Sequence, residues 1–290
     1  MKTLLIGLGQ IGLGLIVPIF KKAGYEIVGT DANIDRLNKL ENGYFLHTPS
    51  SHLQMDIEVA KMDELVGDFD LIITSVGRQH LDKVAAWLEK KKFLAPVLLA
   101  ENLPDPVTVF PRQIPIVVDR ICPRVTEESG ALTVFAEDYY KIVVLDDSLT
   151  HQLWKVDGIG LENTEAEVEE KRRQKMFTVN LSHLITALYG QKLGLTLVEE
   201  AIGKSEVVSM VSAIITEVGP WLNMDGRQIS EKKQQIIERF SSPLQDPLSR
   251  IFEPSKKISA MRYIEVPLNG LHEMGLKAPA LEEAFNLINY

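Results

Sequence analysis

Short apolar runs alternate with segments of helical spacing through the first part of the chain. The apolar runs predict buried strands, and the segments whose apolar residues recur three and four apart predict helices between them. The predicted strands are Lys2–Ile6, Tyr25–Thr30, Leu71–Val76, Ala95–Ala100 and Ile114–Val118, and the predicted helices are Ile11–Ala23, Asn33–Leu40 and Leu81–Lys92. Strands that alternate with helices require crossover connections, so the pattern predicts an α/β fold with a parallel sheet covered on both faces.

The pattern changes after Arg124. Two adjacent strand-like runs, Ala131–Ala136 and Tyr140–Leu145, predict a β-hairpin. Most later segments have helical spacing, namely Glu165–Gly190, Leu197–Val218, Ser230–Arg239, Ala260–Glu273 and Ala280–Leu287. We therefore expect an α/β domain with a hairpin extension over residues 1–160 and an all-helical C-terminal domain over residues 161–290.

Three glycines, Gly7, Gly9 and Gly12, stand between the first predicted strand and the first predicted helix. There the spacing G-x-G-x-x-G allows a tight turn, a close approach of the backbone to a pyrophosphate, and close packing of helix on strand. The N–H groups at the helix N-terminus favour phosphate oxygens, and Gln10 and Ile11 lie within the same turn. The pattern predicts a Rossmann-type dinucleotide-binding domain, and the alternative is a tight turn that binds no ligand.

Asp31 ends the second predicted strand, about twenty residues beyond the glycines. A carboxylate there accepts hydrogen bonds from a ribose 2′-hydroxyl and repels a 2′-phosphate, which favours NAD over NADP as the cofactor. The alternative is that Asp31 caps the N-terminus of the helix predicted at Asn33–Leu40.

Two loops follow predicted strands at the carboxyl edge of the sheet, where open α/β folds bind their ligands. In the loop TSVGRQH, Ser75 and Val76 are candidates for cofactor contacts, and an ordinary strand-to-helix connection is the alternative. In the tripeptide ENL, Glu101 is a further cofactor candidate and Asn102 is placed to offer an amide to a reacting oxygen. The alternative for Asn102 is a turn residue before Pro104.

Three polar residues, Lys175, Asn180 and His183, interrupt the apolar helix KMFTVNLSHLITALYG. In a regular helix Asn180 lies about 140° round from Lys175, and His183 about 80°, so the three share one broad face. A desolvated lysine has a lowered pKa and can act as general base when hydride leaves an alcohol, while an amide stabilises the reacting oxygen and an imidazole orients substrate or lysine. The alternative is an exposed lysine at a helix start, with hydrogen-bonded core residues at the other two positions.

Other charged residues are candidates for substrate binding. Asp119 and Arg120, in VDRICPR, follow a predicted strand and either bind substrate or form a structural ion pair. Basic residues also cluster late in the helical half, at Arg239, Arg250, Lys256, Lys257 and Arg262. Such a cluster suits a phosphate or another anionic substrate group, and a solvated helix face is the alternative.

Charge and composition limit the kinds of partner that the protein is expected to bind. The formal net charge of -9 argues against a nucleic-acid or anionic-membrane partner. Cys122 is the only cysteine, no apolar run has the length of a bilayer span, and the N-terminus lacks a signal-peptide pattern. No group of His, Cys and carboxylates has metal-ligand spacing. We expect a cytoplasmic protein that needs no metal and that is a monomer or a small homo-oligomer.

Several motifs occur in one order along the whole chain: GLGQIGLG, the acid at position 31, ENL, VDRICP, KMFTVNLSHLITALYG and RFSSPLQDPLSRIFEPSKKIS. This series resembles the polyol-specific long-chain dehydrogenase family, and most closely its mannitol-1-phosphate 5-dehydrogenase branch. The resemblance implies an NAD-dependent enzyme in which Lys175 is the base, Asn180 and Asn102 bind the oxygen, and His183 positions the substrate. The sequence departs from the family pattern in NLSH, where the family has Asn-Thr-Gly-His.

The leading hypothesis is therefore an enzyme that interconverts a sugar alcohol, as a hexitol phosphate such as mannitol 1-phosphate, with the corresponding ketose. One alternative is a 2-keto acid reductase similar to ketopantoate reductases, which share the fold and a lysine on the first long helix. Asp31 counts against it, because those enzymes favour NADP. The other alternative is a non-catalytic NAD(H)-binding sensor. The altered motif NLSH favours a sensor, whereas the retention of Lys175, Asn180 and Asn102 argues against it.

Overall fold

The computed structural model describes residues 1–101, 107–128 and 130–289. They form two units, which we call the α/β unit (Met1–Lys171) and the helical unit (Arg172–Tyr290). The division lies inside helix α4 (Glu165–Lys175), whereas the predicted boundary, between residues 160 and 161, precedes this helix. The difference arises because the first residues of α4 pack on the α/β unit. Val168 contacts buried valines of two of its strands.

A six-stranded parallel sheet forms the centre of the α/β unit. Its strands in spatial order are β5 (Glu58–Val59), β2 (Glu26–Thr30), β1 (Lys2–Ile6), β6 (Leu71–Thr74), β7 (Val97–Leu99) and β8 (Gln113–Ile114). The helices of this part of the chain are α1 (Val17–Lys22), α2 (Ile34–Leu40) and α3 (Leu81–Lys91). The strand order reverses between β1 and β6, and such a reversal is where open α/β sheets form a crevice for ligands.

Two smaller sheets complete the described part of this unit. The first has the order β10 (Arg124–Glu128), β11 (Ala131–Phe135), β3 (Tyr44–Thr48) and β4 (Ser51–Met55), and the second has the order β13 (Ile159–Glu162), β12 (Lys141–Leu145) and β9 (Ile116–Asp119). The predicted strand Ile114–Val118 is therefore divided between two sheets. Pro115 separates the two parts, because proline has no N–H for a continuous ladder.

The predicted hairpin between Ala131–Ala136 and Tyr140–Leu145 is wrong. Strand β11 pairs antiparallel with β10 across a turn at Gly130, and β12 pairs antiparallel with β9 in the other sheet. The two strands cannot pair with each other because both edges of each are occupied: β11 lies between β10 and β3, and β12 lies between β9 and β13.

The first helix contains a widened turn. Residues Gly12–Ile16 are π-helical, and the N–H of Val17 donates to the carbonyl of Gly12. Pro18 has no N–H for the carbonyl of Gly14, four residues earlier, so a regular α-helix cannot continue through this point. The carbonyls left over bond to side chains instead. Arg120 Nη1 donates to Gly14 at 2.6 Å, and a tyrosine hydroxyl donates to the carbonyl of Leu13.

In the helical unit α4 continues through a second π-helical segment, Met176–Asn180, into α5 (Leu181–Lys192). The later helices are α6 (Val198–Ile202), α7 (Ser205–Trp221), α8 (Gly226–Phe240), α9 (Leu248–Ile251), α10 (Lys257–Glu273) and α11 (Pro279–Asn289). The predicted helix Leu197–Val218 is thus two helices, because the chain ends α6 at Gly203 and is extended at Lys204.

The predicted class, a Rossmann-type parallel sheet followed by an all-helical part, is confirmed. Within the ranges that the structure describes, none of these helices combines the length and apolar character required of a membrane span.

We expect Tyr44→Phe to lower the free energy of unfolding of the α/β unit by about 1–3 kcal/mol. The Tyr44 hydroxyl donates to the carbonyl of Leu13 at 2.6 Å, and the side chain is buried, so water cannot replace the lost donor. Urea unfolding followed by circular dichroism measures the change. Tyr25→Phe is the control, since its hydroxyl donates to the carbonyl of Leu149 in a less buried hydrogen bond and its loss should cost less. Equal losses for the two variants would contradict this account of the widened helix.

Candidate functional site

The glycine turn has two different kinds of glycine. Gly7 has φ +99°, and a Cβ there would lie 2.5 Å from the carbonyl oxygen of Ser75, while a Cβ on Gly12 would lie 2.2 Å from the carbonyl oxygen of Gly7. These two glycines are therefore required by the packing of the protein on itself. A Cβ on Gly9 would meet only Arg36 Nη1, at 4.0 Å, so this position leaves open space beside the backbone.

That open space belongs to a cavity of about 490 Å³ at the carboxyl ends of β1, β2 and β6. Its lining residues are Ile6, Gly7, Gly9, Asp31, Ala32, Arg36, Met62, Ser75, Val76, His80, Lys83 and Val84. The two other predicted members of the turn contribute to the scaffold. Gln10 Nε2 donates to the carbonyl of Pro123 at 2.7 Å, and Ile11 packs against the apolar core.

Asp31 lies at the cavity, and its side chain is 14% exposed. One carboxylate oxygen accepts the N–H of Leu8 at 2.8 Å and lies 3.5 Å from Arg36 Nη1, and the other accepts the N–H of Asn33 at 2.8 Å. Asn33, not Asp31, is the N-cap of α2, since its side chain accepts the N–H of Arg36. The carboxylate therefore retains lone pairs that can accept further hydrogen bonds.

The loop after β6 is fixed to the glycine turn on one side and to Glu101 on the other. Ser75 Oγ donates to the carbonyl of Gly7 at 2.7 Å. The Glu101 carboxylate accepts the hydroxyl of Thr74 and the N–H of Val76, both at 2.9 Å. Glu101, a predicted cofactor contact, thus holds the loop that lines the cavity. Burial raises the pKa of Glu101 above its ordinary value, although these hydrogen bonds lower it.

In the helical unit the π-helical segment changes the relation between Lys175 and Asn180. The N–H of Leu181 donates to the carbonyl of Met176, five residues earlier. In a turn closed in this way residues five apart lie on nearly the same face, so Lys175 and Asn180 are closer in direction than the predicted 140°. Both side chains are half-buried, and Asn180 Nδ2 contacts the sulfur of Met176 at 3.4 Å.

His183, one turn farther along, faces a buried carboxylate. Its Nε2 lies 3.1 Å from Oδ2 of Asp246. Among the described residues no group, Asp246 included, meets Nε2 with full hydrogen-bond geometry. Arg250 binds the same carboxylate twice, at 2.7 Å and 2.6 Å.

The charges of this cluster follow from burial and pairing. Burial lowers the pKa of His183, and the nearby guanidinium groups of Arg239 and Arg250 lower it further, against the effect of Asp246. Burial would raise the pKa of Asp246, but the contacts with His183 and Arg250 outweigh it and lower this pKa to about 2. The cluster therefore holds a neutral imidazole, a carboxylate and cationic arginines at neutral pH.

The remaining candidates have different positions. Arg120 donates to the carbonyls of Gly14 and Glu137, so its side chain is used within the α/β unit, and Asp119 is buried at the end of β9. Arg239 is buried near the end of α8, and Lys257 is the half-buried first residue of α10. The predicted oxygen-binding Asn102 lies outside the described residues.

Sequence reasoning did not identify Asp246 or Arg36 as site residues. Asp246 lies within the late motif RFSSPLQDPLSRIFEPSKKIS, and an acid four residues before Arg250 was the available signal. Arg36 is five residues beyond Asp31, on the first turn of α2. In the described part of the chain no group of three or more His, Cys, Asp or Glu side chains is placed to hold a metal ion.

The chain combines a parallel-sheet unit that has a glycine turn with a helical unit whose first helix carries Lys175, Asn180 and His183. Residues 167–287 match the family described as the mannitol dehydrogenase C-terminal domain. The resemblance predicted from the sequence is confirmed by curated relatives. The chain is 26% identical to a mannitol-1-phosphate 5-dehydrogenase of Halalkalibacterium halodurans, over 97% of this chain and 86% of that protein.

A second mannitol-1-phosphate 5-dehydrogenase, from Enterococcus faecalis, is 24% identical over 100% of this chain and 86% of its own. Among solved structures, the chain is similar to the Pseudomonas fluorescens mannitol 2-dehydrogenase in its ternary complex with NAD and D-mannitol. The TM-score is 0.79 at 15% identity, over 99% of this chain and 79% of that chain. A ketopantoate reductase from Ralstonia eutropha has a TM-score of 0.65 at 14% identity, over 100% and 97%. These two structural likenesses establish the fold.

We expect Glu101→Gln to change how the free energy of unfolding depends on pH. The folded-state pKa of Glu101 lies above its ordinary value of 4.5, so its contribution to stability is complete below that pH and is lost as the pH rises through the folded-state pKa. Glutamine keeps an acceptor for Val76 and cannot ionise. The variant should therefore gain stability relative to the wild type as the pH rises above the ordinary value of 4.5.

Urea unfolding at a series of pH values measures this difference. Glu41→Gln, at an exposed position, is the matched control. A difference between Glu101→Gln and the wild type that is constant across the range, or that moves in the opposite direction, would contradict the proposed burial effect.

Proposed function

We propose that the protein is an NAD-dependent oxidoreductase that interconverts a sugar alcohol and the corresponding ketose. The substrate we propose is a hexitol phosphate such as mannitol 1-phosphate, in keeping with the two relatives that carry the name mannitol-1-phosphate 5-dehydrogenase. The observation that carries the chemistry is the π-helical turn, which directs Lys175 and Asn180 to one face of the helix.

The cavity of the α/β unit fits a dinucleotide. Gly9 leaves space beside the backbone at the start of a helix, where a pyrophosphate is favoured by N–H groups and by the helix dipole. Asp31 has lone pairs for ribose hydroxyls and a negative charge that disfavours a 2′-phosphate. Ser75 and Val76 would bound the same site, and Glu101 would hold their loop. NAD, when bound, supplies the acceptor for hydride.

The helical unit supplies the proton chemistry. Oxidation of an alcohol releases a hydride from carbon and a proton from the hydroxyl, so a base must take that proton. Lys175, in its neutral form, would accept it. Asn180 would donate a hydrogen bond to the oxygen as negative charge develops, since among the described residues its amide nitrogen contacts the thioether sulfur of Met176. A sulfur atom is a weak acceptor, which an alkoxide-like oxygen displaces readily.

The phosphate of the substrate would require cationic donors in the helical unit. Arg250 is bound at two positions by Asp246, so it contributes mainly through its charge. Lys257 begins α10 and keeps a half-buried ammonium group. We assign the phosphate to this basic part of the helical unit, together with Arg239.

Gly9→Ala should weaken NADH binding by at least about tenfold, or about 1.4 kcal/mol. The added Cβ would occupy space in the cavity and would touch no protein backbone, so the fold should be retained. Fluorescence titration with NADH measures the affinity. Gly226→Ala is the control, because a Cβ there meets nothing within 4 Å and lies in the other unit. Unchanged affinity in Gly9→Ala would remove the glycine turn from the cofactor site.

Lys175→Ala should lower kcat by about 10²- to 10⁴-fold, the usual contribution of a general base, while NADH affinity is retained. Lys277→Ala, at an exposed loop position, is the control and should be fully active. The assay is reduction of NAD with mannitol, mannitol 1-phosphate, glucitol 6-phosphate and altronate, with NADPH oxidation by ketopantoate as a separate arm. We expect the phosphate esters to be preferred.

Three results would count against this function. Equal turnover by Lys175→Ala would remove the lysine from its role as base. Activity confined to ketopantoate would indicate the 2-keto acid reductase instead. NADH binding without turnover of any of these substrates would indicate a sensor.

A further inference from the structure

Backbone hydrogen bonds to a neighbouring segment fix the position of the segment that carries Asp246. The carbonyl of Asp246 accepts the N–H of Val198 at 2.9 Å, and the N–H of Leu248 donates to the carbonyl of Thr196 at 2.9 Å. Immediately before Asp246, Gln245 has φ +53°, and its N–H donates to Glu199 Oε1 at 2.8 Å. A non-glycine residue in this left-handed conformation is costly and persists where the surroundings enforce it.

The Asp246 side chain is 3% exposed, and its two oxygens have distinct tasks. Oδ1 accepts Arg250 Nε, whereas Oδ2 accepts Arg250 Nη2 and also faces His183 Nε2 at 3.1 Å. The two-point contact with the planar guanidinium fixes the plane of the carboxylate. Oδ2 therefore has a defined position relative to the imidazole.

The imidazole is restrained from the other side by an aromatic ring. The rings of His183 and Phe240 have their centroids 4.8 Å apart at 31°. The His183 side chain retains 13% exposure, whereas its Nε2 is buried. Two cationic groups, Arg239 and Arg250, lie near the ring and disfavour an imidazolium.

We propose that Asp246 is a positioning residue that keeps the proton of a neutral His183 on Nε2, so that Nδ1 is a hydrogen-bond acceptor for a substrate hydroxyl. A neutral imidazole has one donor and one acceptor nitrogen, and the group that faces one nitrogen decides the role of the other. A carboxylate without a proton can only accept, so the nitrogen that faces it carries the hydrogen. Small rotation of the ring aligns the Nε2–H bond with Oδ2.

An acceptor at Nδ1 also indicates a class of substrate, and this part of the inference rests on the function proposed above. An acceptor at Nδ1 suits a ligand that offers a hydroxyl hydrogen, such as a second hydroxyl of a polyol. A site built around such a hydrogen bond discriminates strongly against an analogue that lacks the hydroxyl, because the acceptor is then left without a partner. His183 thus becomes a determinant of recognition for a polyhydroxylated substrate.

The first experiment reads the tautomer directly and needs no activity. Long-range ¹H–¹⁵N spectra of the imidazole rings distinguish the two neutral tautomers, and His183→Gln assigns the signal among the six histidines of the chain. We expect the wild type to have the Nε2–H tautomer at neutral pH. An Nδ1–H tautomer or an imidazolium in the wild type would overturn the proposal, whatever any variant does.

Asp246→Asn supplies the second test. The amide oxygen of the new side chain would bind the charged Arg250, which leaves the amide N–H₂ facing His183. The proton should then move to Nδ1, the wrong-tautomer effect known for the corresponding Asp→Asn change in the serine-protease triad. Asp225→Asn is the control, because Asp225 is exposed at the N-cap of α8 and asparagine caps equally well. An unchanged tautomer in Asp246→Asn would overturn the proposal.

The third readout is kinetic. Asp246→Asn should lower kcat/KM for the alcohol substrate by about 10- to 100-fold, as is usual for a carboxylate behind a functional histidine, with NADH affinity unchanged. Asp225→Asn should leave both values unchanged. Wild-type kcat/KM in Asp246→Asn with the proton on Nδ1 would overturn the role in substrate recognition. Absence of turnover in the wild type would contradict the proposed function, while the tautomer would still decide the inference about Asp246.

Discussion

The α/β unit depends on one constraint, which is that the backbone carbonyls released by the widened first helix must find donors. Pro18 removes the N–H that would serve Gly14, and the donors come from outside the helix. Arg120 follows a strand of one small sheet, and Tyr44 begins a strand of the other. The helix that starts at the glycine turn is thereby tied to both small sheets through buried hydrogen bonds. The position of the glycine turn follows from this three-way attachment.

The second widened turn has no proline, so it shows that the two segments have separate local causes. Thr178 Oγ1 donates to the carbonyl of Gln174 at 2.6 Å, a contact within the helix that competes with the regular ladder. The result is that Lys175 and Asn180 lie closer in direction than the 140° of a regular helix. Pro18 follows the glycine turn by a few positions, and Thr178 lies between Lys175 and Asn180.

The sequence predicted the structure correctly where the residues that form a feature are close together along the chain. The strand–glycine–helix order and the acid at the end of the second strand are local patterns, and they predicted the parallel sheet and its cavity. The hairpin prediction failed because β11 pairs with the strand before it and with the distant β3, and β12 lies between β9 and β13. The contact of His183 with Asp246 joins helix α5 to the loop between α8 and α9, and residue spacing contains no information about it.

The hydrogen-bond partners of polar side chains distinguish residues of the scaffold from residues of the candidate site. Buried polar groups in folded proteins are almost always paired, so a group with unused capacity calls for an explanation. Gln10, Ser75 and Arg120 donate to backbone carbonyls at 2.6–2.9 Å, and these contacts account for their presence without a ligand.

Asn180 and His183 differ from that set. Among the described residues, the Asn180 amide contacts a thioether sulfur, and Nε2 of His183 lies 3.1 Å from a carboxylate without full hydrogen-bond geometry. Asp246 and Arg250 complete an ionic cluster whose desolvation cost apolar residues of the same size would avoid. Stability alone therefore does not explain why the helical unit keeps these groups. The proposed binding of a polar, hydroxyl-bearing ligand would account for the amide, the imidazole and the charges together.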